Sequence, residues 1–300
     1  METIDQCPLC RSTTSSVALT TIDYTVSREH FSIRECAVCG FHFTSPRPEQ
    51  SAIGKYYLSE EYISHAAKAT GVKDRIYHLV RRRAIRSKHK LIQKYHAAGS
   101  VLDVGCGTGD FLAYVQGRGY STVGVEVSPE ARSIAAAKGL NVAETLESIP
   151  AKGQFELITM WHVLEHVPDP INTLEQLYER STENVLLVIA VPDHASWDSG
   201  HYGAGWAAWD VPRHLSHFRR EDMKLLFQKT GFEPVEVRSM WFDAPYVSML
   251  SEQYQGAGPT GSVIKGALFG IWSNLVARTS DRPTSSSLFL AKKVKRSGRG

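Results

Sequence analysis

Val101-Leu-Asp-Val-Gly-Cys-Gly-Thr-Gly-Asp110 is a short apolar run that holds one acid and breaks into a glycine-rich turn. Residues 101–104 read as a buried parallel strand, and Phe111-Leu-Ala-Tyr-Val115 reads as the start of the helix that follows. Gly105, Gly107 and Gly109 form the turn between them, where the missing Cβ lets backbone come close to a ligand.

Two ligand classes sit on such a strand-turn-helix. The dinucleotide fingerprint G-x-G-x-x-G wants a third glycine at position 110, which is aspartate here. A pyrophosphate would meet the carboxylates of Asp103 and Asp110, whereas S-adenosylmethionine carries no phosphate and brings an ammonium and a sulfonium. The acids therefore favour the sulfonium ligand. Farther on, Ser121-Thr-Val-Gly-Val-Glu126 reads as a second strand ending in an acid placed to accept from both ribose hydroxyls, a feature that suits either ligand.

DVGCGTG (103–109), GVEVSPEA (124–131) and FELITMWHVLEHVPDP (155–170) resemble, in this order, the successive motifs of class I S-adenosylmethionine-dependent methyltransferases, over about residues 100–294. The resemblance implies an α/β fold, a doubly wound seven-stranded and mostly parallel Rossmann-like sheet, with its last strand inserted antiparallel. It also implies an enzyme with S-adenosylmethionine as cofactor. The expected cofactor residues are Asp103 near the amino-acid end, Gly105 and Gly107 in the turn, Glu126 on the ribose with Val127 beside it, and Trp161. Thr145 and Leu146 are placed near the adenine by the resemblance alone.

The composition, 42% hydrophobic and 22% charged over 300 residues, is ordinary for a globular protein of one main domain plus an attachment. The start METIDQCPLC has no basic stretch followed by an apolar run, and no apolar stretch reaches bilayer length, so a cytoplasmic protein is expected. A formal net charge of +3 is too small to point to nucleic acid.

Cys7-Pro-Leu-Cys10 and Cys36-Ala-Val-Cys39 are two C-x-x-C knuckles 25 residues apart. Paired knuckles close a tetrahedral, all-sulfur zinc site with no open position, so the metal is expected to be structural. Strand-like runs at residues 16–19 and 30–34 hold too little apolar mass to fold unaided, which a zinc ribbon would remedy. Two disulfides are the alternative, disfavoured in a cytosolic chain. Cys106, in the glycine turn, reads as a packing residue.

Residues 1–48 are thus expected to form the zinc ribbon, 49–73 an aromatic connector containing Tyr56, Tyr57 and Tyr62, and 74–300 the methyltransferase domain. In resembling proteins the ribbon, Pro46-Arg-Pro48 and paired tyrosines occur together. Residues 74–96 read as an amphipathic helix whose basic face, from Arg81 to Lys90, is a solvated one. Further strands are expected at 140–146, 155–160, 184–191, 234–238 and 287–291, with a helix over 221–230 ended by Gly231. Insertions at about 193–217 and 243–284 read as substrate lids. Trp197, Tyr202, Trp206 and Trp209 in the first suit stacking on an acceptor, and the apolar stretch 262–277 in the second suits packing on the domain or transient membrane contact. The tail from Lys292 is expected to fray.

The fourth strand delivers Trp161-His-Val-Leu-Glu-His166 to the rim where the sulfonium methyl points, because open parallel sheets bind ligands beyond their carboxyl ends. Methylating a hydroxyl needs a proton removed near neutral pH, the range of histidine. His162, Glu165, His166 and His214 are therefore the candidate catalytic residues, with His217 as a substitute for His214 and Glu165 orienting a histidine. A metal-free base at His162 or His166 is the expected mechanism. The cluster also resembles the divalent-metal site of ubiquinone-pathway O-methyltransferases and small-RNA 2′-O-methyltransferases, whose motif has glutamate at the position of His162. A second divalent ion, softer than magnesium, thus stays open, as does plain packing of a histidine pair. The inverted protease pattern H-x-x-E-H is set aside because it directly follows a cofactor-fold strand.

The expected activity is methyl transfer from S-adenosylmethionine, most simply to oxygen, on a small-molecule substrate such as a sugar, glycolipid precursor or secondary metabolite. The competing class is a zinc-ribbon binding module on a catalytically inactive cofactor domain, and turnover separates the two. Nothing in the sequence fixes the oligomeric state.

Overall fold

The computed structural model describes residues 1–57 and 72–295, with backbone alone over 72–80. Tyr62 and most of the expected connector, and the tail from Arg296, lie outside the described residues. The chain opens with strands β1 (Ser15–Ile22), β2 (His30–Cys36) and β3 (His42–Thr44), and helix α1 (Val72–Ile92) leads into the main domain. There follow β4 (Gly99–Val104), α2 (Asp110–Gln116), β5 (Tyr120–Val125), α3 (Pro129–Ala137), β6 (Asn141–Ala143), β7 (Phe155–Trp161), α4 (Pro170–Arg180) and β8 (Ser181–Pro192). The last part comprises α5 (Trp197–Tyr202), β9 (Ser216–His217), α6 (Arg220–Thr230), β10 (Phe232–Ser239), α7 (Asp243–Tyr254), α8 (Pro259–Thr279) and β11 (Ser286–Lys293).

Seven strands form the central sheet in the order β10-β11-β8-β7-β4-β5-β6. β4 pairs in parallel with β5 and β7, and the parallel run continues to β6 and β8. β11 enters antiparallel between β8 and β10, the insertion expected from the resemblance. Helices cover both faces, so central strands read as near-continuous apolar runs: Val185 through Val191 are all buried. Helix ends follow local chemistry. Ser128 caps α3 by accepting from Ala131 N with Pro129 at the first position, and Gly231 closes α6 in the left-handed region.

A second, antiparallel sheet runs β1-β2-β3-β9. Its fourth strand comes from the far part of the chain, with His42 opposite His217 and Phe43 opposite Ser216. Phe31, Ile33 and Tyr56 from the N-terminal part pack with Tyr202, Trp206 and Trp209 in one buried cluster. The expectation of acceptor-stacking tryptophans is corrected here for Trp206 and Trp209. The two residues are 2% and 5% exposed, and their Nε1 atoms are spent on Asp198 (2.8 Å) and the Gly203 carbonyl (2.9 Å).

Three smaller differences have local causes. The expected strand 140–146 pairs only over Asn141–Ala143 before Leu146–Ser148 turns into a 3-10 helix. Lys292 and Lys293 extend β11 instead of fraying, and Lys293 Nζ reaches the carbonyls of Tyr178 and Ser181, both at 3.1 Å. Arg81 is not on a merely solvated face, since it pairs with Asp110 across the glycine turn. Among the described residues, no helix is long and apolar enough to cross a membrane.

Candidate functional site

Beyond β4 the chain turns through Gly105, Gly107 and Gly109 with φ of 68°, 55° and 76°, the left-handed region that favours glycine. A Cβ on Gly105 would stand 2.3 Å from Val163 Cγ2, whereas one on Gly107 meets nothing within 4 Å. Gly107 thus borders open space of the kind a cofactor backbone contact needs. Glu126, just past β5, accepts from the amides of Gly107 (2.8 Å) and Ser128 (2.9 Å), tying the glycine turn to the second strand. Val127 beside it is 73% exposed, an unspent apolar surface next to the acid. Of the two residues expected at the adenine, Thr145 is exposed, but Leu146 is buried in the main core with Val104 and Val125.

Asp103 is buried under the turn and accepts from Thr159 Oγ1 at 2.5 Å. Burial pushes its pKa up to about 6, against the pull of that hydrogen bond and of Lys88. Lys88, from α1, holds its Nζ 4.2 Å above the Trp161 ring. Burial lowers its pKa while Asp103 and Asp243 oppose the fall. Trp161 Nε1 is a buried donor without a hydrogen-bond partner among the described residues. Asp110 is neutralised by Arg81 and by Lys138 at 2.6 Å, so the charge preference for a sulfonium ligand rests on Asp103 and Glu126. The orphaned indole, the open space at Gly107, buried Asp103 and half-buried Glu126 fit S-adenosylmethionine. Cys106 is no nucleophile: burial, with Asp103 and Glu126 nearby, pushes its thiol up to about 12.

β7 ends at Trp161, and His162 then takes a φ of 57°, a strained value for a non-glycine residue that costs about 1–3 kcal/mol. The turn Leu164–His166 buries Glu165, and the Glu165 carbonyl accepts from Leu215 N at 2.8 Å, which draws residues 210–217 against it. The His162 ring lies between two acids, with Nδ1 3.4 Å from Glu165 and Nε2 3.3 Å from Asp243. Burial disfavours its charge, but the two carboxylates more than reverse this and raise its pKa to about 10. His162 is held as a cation and has no free electron pair to take a proton at neutral pH.

His166 and His214 are disposed differently. Their Nδ1 atoms stand 3.0 Å and 2.9 Å from the backbone carbonyls of Arg213 and Ala208, which as acceptors put the proton on Nδ1; the Tyr57 hydroxyl also lies 3.1 Å from His166 Nδ1, and His214 Nε2 lies 3.8 Å from Asp210 Oδ2. The rings meet edge to face with centroids 4.6 Å apart. Burial, with His166 adjacent, lowers His214 to about 4 and keeps it neutral. Neither buried oxygen of Glu165 has a hydrogen-bond partner among the described residues. Glu165, His166 and His214 offer ligand atoms within 4.8 Å of one another, two imidazoles and one carboxylate. His217 is not in that group; it sits 3.0 Å from Thr44 Oγ1, and burial holds its pKa well below the usual range.

Cys7, Cys10, Cys36 and Cys39 form a second such group, again within 4.8 Å, with sulfur separations of 3.6 Å (Cys7 to Cys39) and 3.5 Å (Cys10 to Cys36). All four are free thiols, and their spacing matches four sulfurs around one tetrahedral ion. Residues between the knuckles and just after the second reach the histidine loop. Asp23, fully buried, accepts from Arg213 Nη2 at 3.0 Å, and Thr44 Oγ1 donates to the His214 carbonyl at 2.7 Å.

The methyltransferase domain family matches residues 76–237, more than half of the chain. The chain belongs to that family. The methyltransferase is 33% identical over 94 residues to the ubiquinone biosynthesis O-methyltransferase of Psychrobacter cryohalolentis, covering 28% of this chain and 37% of that one. It is 37% identical over 79 residues to the Escherichia coli protein of the same name, covering 23% of this chain and 33% of that one. The matches thus span about a third of the length of these relatives. Among solved structures, a chain of the Haloferax volcanii complex of the Trm112 methyltransferase activator with a methyltransferase superposes with a TM-score of 0.52 at 15% identity, covering 74% of this chain and 95% of that one. That likeness is one of fold.

Three participants escaped the sequence. Lys88 stands seven residues after Arg81 on α1, so both cations share one helix face toward the glycine turn, a spacing visible in the sequence. Asp243 and Arg213 carried no local signal, since each meets its partner only through the tertiary fold.

Proposed function

We propose that this methyltransferase moves the methyl group of S-adenosylmethionine to a hydroxyl of a small acceptor, with Glu165, His166 and His214 holding a divalent cation beside the cofactor. The carrying observation is Glu165, a buried carboxylate whose oxygens accept no hydrogen bond among the described residues and which, besides its 3.4 Å ion pair with His162, faces two imidazoles whose Nδ1 atoms are already anchored on carbonyls. Anchoring the outer nitrogen on a carbonyl is how proteins orient metal-binding imidazoles. When bound, such an ion lowers the pKa of a coordinated hydroxyl. Asp103 and Glu126 hold the cofactor at its amino-acid and ribose ends, Gly105 and Gly107 give it backbone, and Val127, Thr145 and Trp161 line its sides. His162, kept cationic by Glu165 and Asp243, orients Glu165. Cys7, Cys10, Cys36 and Cys39 hold one structural zinc.

A second mechanism, metal-free catalysis by His166, is favoured by the anchoring of its Nδ1 on the Arg213 carbonyl, which leaves Nε2 without a hydrogen-bond partner among the described residues. The relatives named for ubiquinone O-methylation support oxygen as the accepting atom. The test is S-adenosylhomocysteine release from the full chain offered phenolic and sugar hydroxyl acceptors. Glu165→Gln should abolish turnover with one of them while S-adenosylmethionine still binds. Turnover unaffected by Glu165→Gln would overturn the metal mechanism, and no cofactor consumption with any acceptor would favour the binding module.

A further inference from the structure

Helix α8 is packed inside out. Its buried positions are Ser262, Gly266, Gly270 and Ser273. A Cβ on Gly266 or Gly270 would fall 2.3 or 2.4 Å from the backbone of Met249 or Pro245, so these small residues are what let α8 lie against α7. Apart from Phe269, which packs on the cluster of Tyr202 and Trp206, most of the large apolar side chains are left outside. Ile264, Leu268, Ile271 and Leu275 follow steps of four, three and four, which puts them on one face, and Trp272 joins Leu268 one turn on. Leu268 is 63% exposed and Trp272 53%. Asn274 Nδ2 donates to the Trp241 carbonyl at 2.8 Å, so the turn carrying Trp241 and the 81% exposed Phe242 adjoins the same helix. Apolar surface gathered this way marks an interaction site.

The charges decide what covers it. The charged residues within α8 are Lys265 and Arg278, both cationic, with no acid among them. Lys265 Nζ lies 3.7 Å from buried Glu252 yet keeps 60% of its side chain exposed. Beyond the helix end, Asp281 and Arg282 offset each other. Pairing with a second copy would set this cationic helix against itself, whereas lipid phosphates complement it. Trp241 and Trp272 are of the type that settles at headgroup level. We propose that the outer face of α8, with Trp241 and Phe242, docks on an anionic lipid bilayer, lying in the headgroup boundary without crossing it. Phe242 precedes Asp243, the partner of His162, so docking brings the candidate site to the lipid surface. A lipid-borne acceptor follows only if the proposed function holds; the docking itself stands apart from it.

The experiment is co-sedimentation of the full chain with vesicles of phosphatidylcholine, alone or mixed with phosphatidylglycerol, at low and high salt. Sedimentation velocity without lipid accompanies it. The parent should bind the anionic vesicles about tenfold or more tightly than the neutral ones and release them in salt. Leu268→Gln with Trp272→Gln should weaken binding about tenfold or more at an unchanged unfolding temperature, and Ile264→Gln serves if that pair does not fold. Failure of the parent to bind overturns the proposal, as does equal binding by a folded variant. So does a lipid-indifferent dimer dispersed by the substitutions, which would assign the face to a second copy. None of these readings involves turnover, so their failure leaves the methyl-transfer proposal standing.

Discussion

Thr44, on the strand that follows the second cysteine knuckle, donates its hydroxyl to the His214 carbonyl at 2.7 Å, 170 residues away in sequence. The same oxygen lies 3.0 Å from His217 Nε2, and Thr44 N donates to the Leu215 carbonyl at 3.0 Å. The cysteine-bearing sheet therefore sets the backbone that carries one of the proposed metal-binding histidines. Thr44→Val should lose about 1–3 kcal/mol of stability, since it leaves buried partners unsatisfied. It should also lower kcat with S-adenosylmethionine affinity unchanged, as read by chemical unfolding, steady-state kinetics and calorimetry. Unchanged kcat would detach the sheet from the site.

Removal of the proposed zinc should propagate along the same connection. Cys10→Ser leaves three sulfur ligands, and the purified variant is expected to lose its zinc by elemental analysis. The loop carrying Arg213 and His214 should then gain protease sensitivity, because Asp23 and Thr44 hold it from the ribbon side. A zinc-free variant with parental protease resistance would contradict this.

Glu126→Ala removes the acceptor proposed for the ribose and frees the amides of Gly107 and Ser128. Affinity for S-adenosylmethionine should fall about ten- to a hundredfold, or roughly 1.5–3 kcal/mol, measured by calorimetry. Unchanged affinity would remove Glu126 from the cofactor site.

His194 supplies a pH signature of the fold. Burial, reinforced by His42 and Arg219, lowers its pKa to about 3, below an unfolded value near 6.5. Between those values the unfolded chain binds the proton and the folded chain does not, so this stability is present above about pH 6.5 and lost as pH falls toward 3. Asp193, pushed up to about 7 by burial, has the opposite slope, so the comparison must be with a variant. The stability of His194→Gln relative to the parent should rise by up to about 1.4 kcal/mol per pH unit below 6.5. A pH-independent difference would mean that His194 titrates normally.

The central sheet was legible because each of its signals is local. Asp103, the glycines and Glu126 lie within one strand-turn-helix and the next strand, and the four cysteines carry their spacing in the sequence. What was not legible depends on partners distant in the chain. The tryptophans of 197–209 look like a lid until Phe31, Ile33 and Tyr56 arrive to bury two of them. His162 looks like a base until Asp243, at the start of α7, joins Glu165 to charge it. Helix α8 hid its orientation because its glycines and serines, not its leucines, face inward.

Equilibrium dialysis of the zinc-loaded chain against cobalt(II), with metal content and visible absorption read for parent and Glu165→Gln, tests the proposed site most directly. The parent should take up one cobalt per chain beyond its zinc, with the weak bands of a nitrogen and oxygen site, and Glu165→Gln should keep the zinc and lose the cobalt. No cobalt in the parent, or equal cobalt in the variant, would contradict a divalent ion held by Glu165, His166 and His214.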